Sequence, residues 1–129
     1  MVMTKIEQIK LAIKEQLQIF LNEEGYALYL AANDDIPAQQ RYVELETIED
    51  VVLSGSKLLF EIRVALRILG KNWQCENLIK GIYIALHPHN ITVCELTILL
   101  MSMHVEPMHC SKPKMQRKRA IMRYIVEEG

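Results

Sequence analysis

The residue types best suited to chemistry gather in the C-terminal third of the chain, where His104, His109 and Cys110 follow Cys94. Neutral imidazole and thiolate are ordinary ligands of zinc. Their spacing matches no standard zinc motif, and no Asp or Glu is placed to orient the histidines from behind. The pattern therefore predicts no metal site in this part of the chain.

Two further histidines, His87 and His89, bracket Pro88 and could exchange protons with a substrate. That role needs a nucleophile or a carboxylate as a partner, and the spacing identifies none. The C-terminal end of a helix favours imidazolium electrostatically, which explains both residues without catalysis. The five glycines of the chain form no phosphate-binding loop. We predict no catalytic and no cofactor-binding residues, and a protein that is not an enzyme.

The most unusual charge pattern is a basic loop at positions 112–123, which contains no acidic residue. Its six basic residues are Lys112, Lys114, Arg117, Lys118, Arg119 and Arg123. Since the whole chain has a net charge of −1, the remainder carries −7. The run could be a solvated loop that protects a hairpin edge, a contact for an acidic neighbouring subunit, or a contact for a phosphate backbone. Without interleaved aromatic residues for base stacking, nucleic acid is the less favoured of the two partners.

Alternating strands must position these side chains. In the first, Phe60, Ile62, Val64, Leu66 and Ile68 share one face, and Glu61, Arg63 and Arg67 share the other. In the last, Ala120, Met122, Tyr124 and Val126 oppose Arg119, Ile121, Arg123 and Ile125. Strict period-two alternation over this length is typical of a strand with one buried face.

Other segments predict three more strands and their connections. Tyr42 to Leu53 is predicted as a strand interrupted at Glu49-Asp50, in which Glu44 and Glu46 lie on a solvated edge. Tyr26 to Leu30 is predicted as a short edge strand, and Thr92 to Val105 as a long one. The polar segment from Glu106 to Gln116, with two prolines, is predicted to connect it to the last strand.

Two helices complete the set of elements. The first has an apolar stripe at three- and four-residue steps, a capping box formed by Thr4 and Glu7, and Gly25 at its end. Asn72 is predicted to cap the second helix. The predicted packing face of that helix consists of Trp73, Leu78, Ile79, Ile82, Ala85 and Leu86. The expected fold is α+β, an antiparallel or mixed sheet of about four to five strands with two main helices on one face.

Length and composition fit a single domain spanning residues 1–129. Half of the residues are hydrophobic, which is the ordinary share for a globular protein. Three widely spaced cysteines form no disulfide framework, so a reduced, cytoplasmic chain is expected. No apolar run is long enough to cross a membrane, and no membrane partner is expected.

The order of elements resembles a known family. An N-terminal helix is followed by the alternating strand Leu58 to Leu69, a helix closing at Ala85-Leu86, and a hairpin ending in the arginine-rich strand Arg117 to Val126. This order is similar to that of tail terminator, or tail completion, proteins of long-tailed bacteriophages, the minor tail protein U type. The similarity extends best from Tyr42 to Glu128. Between Tyr26 and Arg41 the clear strand expected of that family is missing.

The resemblance implies a structural protein. Subunits of that family assemble into a hexameric ring that caps the tail tube and joins it to the head, and they carry no catalytic residues. By this reading the partners are further copies of the chain and other tail or head-connector proteins, and the protein becomes a virion component. Apolar residues on a nominally polar strand face suit such contacts. The predicted contact residues are Arg117, Arg119, Ile121, Arg123 and Ile125. The alternative prediction is a small nucleic-acid- or anion-binding module that uses the basic loop.

Overall fold

The computed structural model describes residues 4–30, 42–53, 59–91, 93, 96–110 and 114–128. In chain order the elements are α1 (Lys5–Glu23), β1 (Leu28–Leu30), β2 (Tyr42–Val52), β3 (Leu59–Gly70), α2 (Asn72–Ala85), a 3₁₀ turn (Pro88–Asn90), β4 (Leu96–Met108) and β5 (Gln116–Glu128). No helix within these ranges is long and apolar enough to cross a membrane.

The five strands form one mixed sheet in the order β1-β2-β3-β5-β4. β1 runs parallel to β2, and the other neighbouring strands are antiparallel. The predicted α+β class is confirmed, and so is the edge position of the short strand after Tyr26. The other edge is β4, which is 13 residues long.

The first helix follows its sequence signals closely. The Glu7 backbone N–H donates to the Thr4 hydroxyl at 3.1 Å, and the Thr4 N–H donates to the Glu7 carboxylate at 3.4 Å. At the other end Gly25 has φ of 77°, a left-handed conformation that glycine adopts without strain. The Tyr26 N–H then donates to the Leu21 carbonyl at 2.8 Å, which closes the helix. Both predicted ends of α1 are confirmed.

The second helix differs from the prediction at its start. Asn72 is the first helical residue rather than the cap, and the Lys71 N–H donates to the Gln74 side chain at 3.0 Å. Trp73 does not pack in the core, since 60% of it is exposed. The buried stripe runs instead through Cys75, Leu78, Ile82 and Leu86, which recur at helical spacing, and Trp73 lies outside that phase.

Both helices pack on one face of the sheet, called the inner face below. Its core comprises buried apolar residues of α1, α2, β2, β3 and β5. The helices approach closely where Gly81 meets the ring of Phe20. Inside this core the Tyr124 hydroxyl donates to the Leu86 carbonyl at 2.7 Å. The apolar halves of the alternating strands therefore lie in the core, as predicted.

Two of the predicted strands have different bounds. β2 continues through Glu49 and Asp50 without interruption, and its irregularity is a bulge at Glu46. β4 continues beyond Val105 to Met108, because Glu106 pairs with Arg119 across the hairpin. Pro107 fits within β4 because an edge strand has a side without hydrogen-bonding partners. The predicted start of that strand at Thr92 lies outside the described residues.

Candidate contact surface on the outer face of the sheet

The face of the sheet opposite the helices, called the outer face below, carries charged and apolar side chains in alternating rows. Antiparallel register places residues of the same face directly opposite one another. Across β3 and β5 the rows pair Arg67 with Arg119, Ala65 with Ile121, Arg63 with Arg123, and Glu61 with Ile125. Two of these rows place like charges opposite each other, so acids from the neighbouring strands must compensate them.

The first compensating group is a cluster around Glu46, the bulge residue of β2. Arg67 and Arg119 each donate an Nη2 hydrogen to Glu46 Oε1, at 2.8 and 2.9 Å. Arg119 also meets Glu106 of β4 at 3.5 Å, and Arg67 lies 3.8 Å from Glu44. One carboxylate thus bridges two guanidinium groups that would otherwise repel. We call these five residues the Glu46 cluster.

Charge interactions set the protonation state of the Glu46 cluster. Partial burial pushes the pKa of the Glu46 carboxyl upwards, but hydrogen bonds and charge attraction from Arg67 and Arg119 outweigh it and leave the pKa below its ordinary value. The hydrogen bond to Glu46 raises the pKa of the Arg67 guanidinium. Both groups are therefore charged at neutral pH, and the cluster is a fixed ionic element of the outer face.

A second cluster surrounds Glu61 of β3. Its carboxylate accepts hydrogen bonds from Arg123 Nε and, at 3.2 Å, from Arg63 Nη2. Glu61 is only 6% exposed although no helix of the described residues covers it, because the long arginine side chains lie over it. The hydrogen bond from Arg123 lowers the pKa of Glu61 more than burial raises it. We call Glu61, Arg63 and Arg123 the Glu61 cluster.

Apolar side chains lie between and beside the two clusters. Ile121, opposite Ala65, separates the Glu46 cluster from the Glu61 cluster and is half-buried. Ile125, also half-buried, lies opposite Leu100 of β4, which is 59% exposed. Val51 of β2 is exposed at the same level, opposite Glu61. This combination of an apolar row with charged borders is typical of a surface that contacts another protein.

The five predicted contact residues all lie on β5, with alternate positions on the outer face. Arg119, Ile121, Arg123 and Ile125 form its central part, and Arg117 lies at its start, opposite Met108. The prediction of a basic loop over 112–123 is wrong from Gln116 onwards, where the chain is already β5. Lys112 lies outside the described residues.

The compensating acids are what sequence reasoning missed. Glu44 and Glu46 were predicted to lie on a solvated edge, yet Glu44 is buried and Glu46 bonds two arginines. The charges of the arginines were visible in the sequence. A hairpin of β2 with β3 was also predicted, but that β3 adjoins β5 was not, because that pairing depends on contacts between residues far apart in the sequence. The available signal was the two-residue spacing of Glu44 and Glu46, which places both carboxylates on the same face of a strand.

The candidate metal residues that the structure describes are not assembled into a site. Among the described residues, no group of three or more His, Cys, Asp or Glu side chains is arranged to hold a metal ion. His104 is exposed on the outer face, Cys110 is half-buried, and Cys94 lies outside the described ranges. His87 and His89 stack with ring centroids 4.6 Å apart, and His87 Nδ1 accepts the His89 backbone N–H at 3.3 Å. Local packing therefore explains the histidine pair.

Comparisons with known proteins give a likeness of fold. No family model and no curated protein matches the chain. Among solved structures, a chain of the virion of a native gene transfer agent particle is 16% identical, with a TM-score of 0.67 over 92% of this chain and 93% of that chain. The type 4 fimbrial biogenesis protein PilO from Pseudomonas aeruginosa is 9% identical, with a TM-score of 0.42 over 91% of this chain and 67% of that chain. The first of these shows a shared fold along nearly the whole length of both chains.

Proposed function

We propose that this protein is a structural component of a phage-like particle, and within that class a tail terminator that acts as a ring subunit between head and tail. The observation that carries the proposal is the likeness to a virion chain of a gene transfer agent, which extends over 92% of this chain. The order of elements, which resembles the tail terminator family, supports the finer assignment. The partners are copies of the same chain and other tail or head-connector proteins.

The outer face of the sheet is the proposed contact surface. Ile121 and Ile125 provide apolar area that no helix of the described chain covers, and the Glu46 and Glu61 clusters border it with fixed charges. Apolar area gives affinity, while bordering charges select the partner and its orientation. This composition supports an assembly role, and we propose contact rather than catalysis as the function.

Mass measurement in solution tests this proposal. Sedimentation velocity over a range of concentrations should detect a discrete oligomer of the unmodified chain. An Ile121→Lys variant should remain monomeric where an Ile19→Lys variant, altered at an exposed apolar residue of α1, still assembles. A chain that stays monomeric at every concentration and salt would count against the ring. If the two variants sediment as the same species, the outer face is not the contact surface.

The geometry does not favour the alternative of a nucleic-acid- or anion-binding module. Arg119 and Arg123 are engaged by carboxylates of neighbouring strands and are not free to bind phosphate. The alternative would be supported by binding to duplex DNA in 50 mM salt that weakens steeply as salt is added, because phosphate contacts depend steeply on salt. Charge reversal at Arg117 and Arg119 should then abolish the binding. We expect no such binding.

A further inference from the structure

The side of α2 that faces away from the sheet carries apolar residues that remain exposed in the described chain. Tyr83 is 40% exposed, and Ile84, at 68%, is the most exposed of the large apolar residues that the structure describes. Beside them an apolar groove of about 430 Å³ lies between α2 and β4, and its lining includes Ile79, Met103 and Val105. Contiguous apolar surface of this kind marks a site of contact with another protein.

Charged residues lie on the same side of α2 as Ile84. Glu76, Lys80 and Ile84 are all exposed and recur every four residues, which is about 6 Å along a helix. Neither Glu76 nor Lys80 forms an ion pair among the described residues. We call these three residues the α2 stripe. From its N-terminal end the α2 stripe is negative, then positive, then apolar.

The outer face of β5 presents the opposite order of charges at a similar spacing. Arg117, Arg119 and Ile121 follow one another at every second position, about 7 Å apart along a strand. Arg117 forms no ion pair among the described residues. Arg119 belongs to the Glu46 cluster, whose three carboxylates and two guanidinium groups give a net charge of −1, with Glu106 as the most exposed carboxylate. The successive levels are therefore positive, negative and apolar.

We propose that the α2 stripe of one copy of this chain lies along the outer face of β5 in a second copy, in a head-to-tail contact. Ile84 then contacts Ile121 of the second copy, and Lys80 lies beside its Glu106. Glu76 lies beside Arg117 of the second copy. A second copy is the occupant that the charges select, because the order of charges along α2 is complementary to that along β5 at nearly the same spacing.

The layers of the fold favour the same arrangement. Both main helices cover the inner face, whereas the outer face has half-buried Ile121 and Ile125 and exposed Leu100. Helices on both faces of a sheet are one of the stable layer arrangements of proteins, and α2 of a neighbouring copy supplies the second helical layer. The contact joins two different surfaces of the chain, so it can repeat from copy to copy until a ring closes. It rests on the proposed function and deepens it, because it names the surface that the outer face contacts.

Two exposed isoleucines on different helices provide a matched test. Ile84→Lys should remain monomeric in sedimentation velocity at concentrations at which the unmodified chain assembles, because it places a charge at the centre of the apolar contact. Ile19→Lys, at a residue of α1 that is 53% exposed, should assemble as the unmodified chain does. Far-UV circular dichroism should show the same folded state in both variants. Equal association of the two variants would overturn the contact.

A mixture of two variants provides the decisive arm, because a head-to-tail contact uses two different surfaces. Ile84→Lys retains an intact outer face, and Ile121→Lys retains an intact α2 stripe. Each variant alone should be monomeric, whereas an equimolar mixture should form a dimer with one chain of each kind and no larger species. A mixture that stays monomeric at high concentration would contradict the proposed pairing of surfaces.

A charge exchange tests the alignment of α2 with β5. Glu76→Lys and Arg117→Glu should each weaken association about tenfold, because each places like charges opposite one another. The two substitutions combined in one chain should restore at least half of the loss. Glu15→Lys, at an exposed position of α1, should leave association unchanged. An exchange that restores nothing would overturn the alignment.

The outcomes separate this contact from the proposed function. If Ile121→Lys disrupts the oligomer but Ile84→Lys leaves it intact, the contact with α2 is rejected and the assembly role still stands. A chain that is monomeric under all conditions would reject both.

Discussion

The two faces of one sheet, built from the same strands, are held in different ways. On the inner face, Leu66 and Met122 are fully buried under the helices. On the outer face, the neighbouring residues Arg67 and Arg119 bond to Glu46 and remain partly exposed to water. Burial of apolar area stabilises a fold without regard to direction, whereas shared carboxylates fix particular side chains in particular places.

The difference suggests a division of roles between the faces. Ion pairs between exposed side chains contribute little to stability, typically below about 1 kcal/mol each. The pairs of the outer face, whose carboxylates are largely buried but whose arginine side chains remain partly exposed, add modestly to the free energy of folding and present a fixed charge pattern around Ile121. We infer that the inner face supplies the stability of the protein, and that the outer face is shaped for a partner.

Removal of one buried side chain from the inner face gives the largest expected effect. Leu66→Ala should lower the free energy of unfolding by about 2–5 kcal/mol, because it removes a fully buried side chain and leaves a cavity. Ile121→Ala, one strand away on the outer face, should cost about 1 kcal/mol because that residue is only half-buried. Urea unfolding followed by circular dichroism measures both values. Similar losses of unfolding free energy in the two variants would contradict the proposed difference between the faces.

Loss of the bridging carboxylate should have a smaller effect. Glu46→Gln should lower the free energy of unfolding by about 1 kcal/mol, because Arg67 and Arg119 then face each other without a shared anion. Added salt should reduce the difference from the unmodified chain, since these groups are partly exposed to solvent. Glu15→Gln, at an exposed residue of α1, is the control and should change little. A loss as large as that of Leu66→Ala would mean that the outer face is also structural.

The inner face was predictable from the sequence, and the outer face only in part. Period-two alternation identified Leu66 and Met122 as buried, because a strand turns successive side chains to opposite faces whatever its neighbours are. The same alternation put Ile121 and Arg123 on the outer face. It could not show that Glu61 lies under Arg123, because that depends on the pairing of β3 with β5, 62 residues apart in sequence.

Two local misassignments have different causes. Trp73 was assigned to the packing face of α2 because it is large and apolar, although its helical phase differs from that of Leu78 and Ile82. The segment after Val105 was assigned to a connection because it contains Pro107. Proline is excluded from the middle of a sheet but not from an edge, and strand order alone places β4 at the edge.

Acid should weaken the outer face before the inner face, and this is the smallest of the expected effects. The pKa values of Glu46 and Glu61 are lower in the folded chain than the ordinary value of 4.5. A group whose pKa is lowered by folding adds stability above its unfolded pKa, and the contribution disappears as the pH falls through the folded pKa. Stability should therefore be constant from pH 7 to about 5 and should decline below pH 4.5.

Urea midpoints measured between pH 3 and 7 should show a shallower decline for Glu46→Gln, which has one such carboxyl fewer, than for the unmodified chain. Identical slopes in the two proteins would mean that Glu46 has the same pKa folded and unfolded, and the ionic account of the outer face would then be wrong.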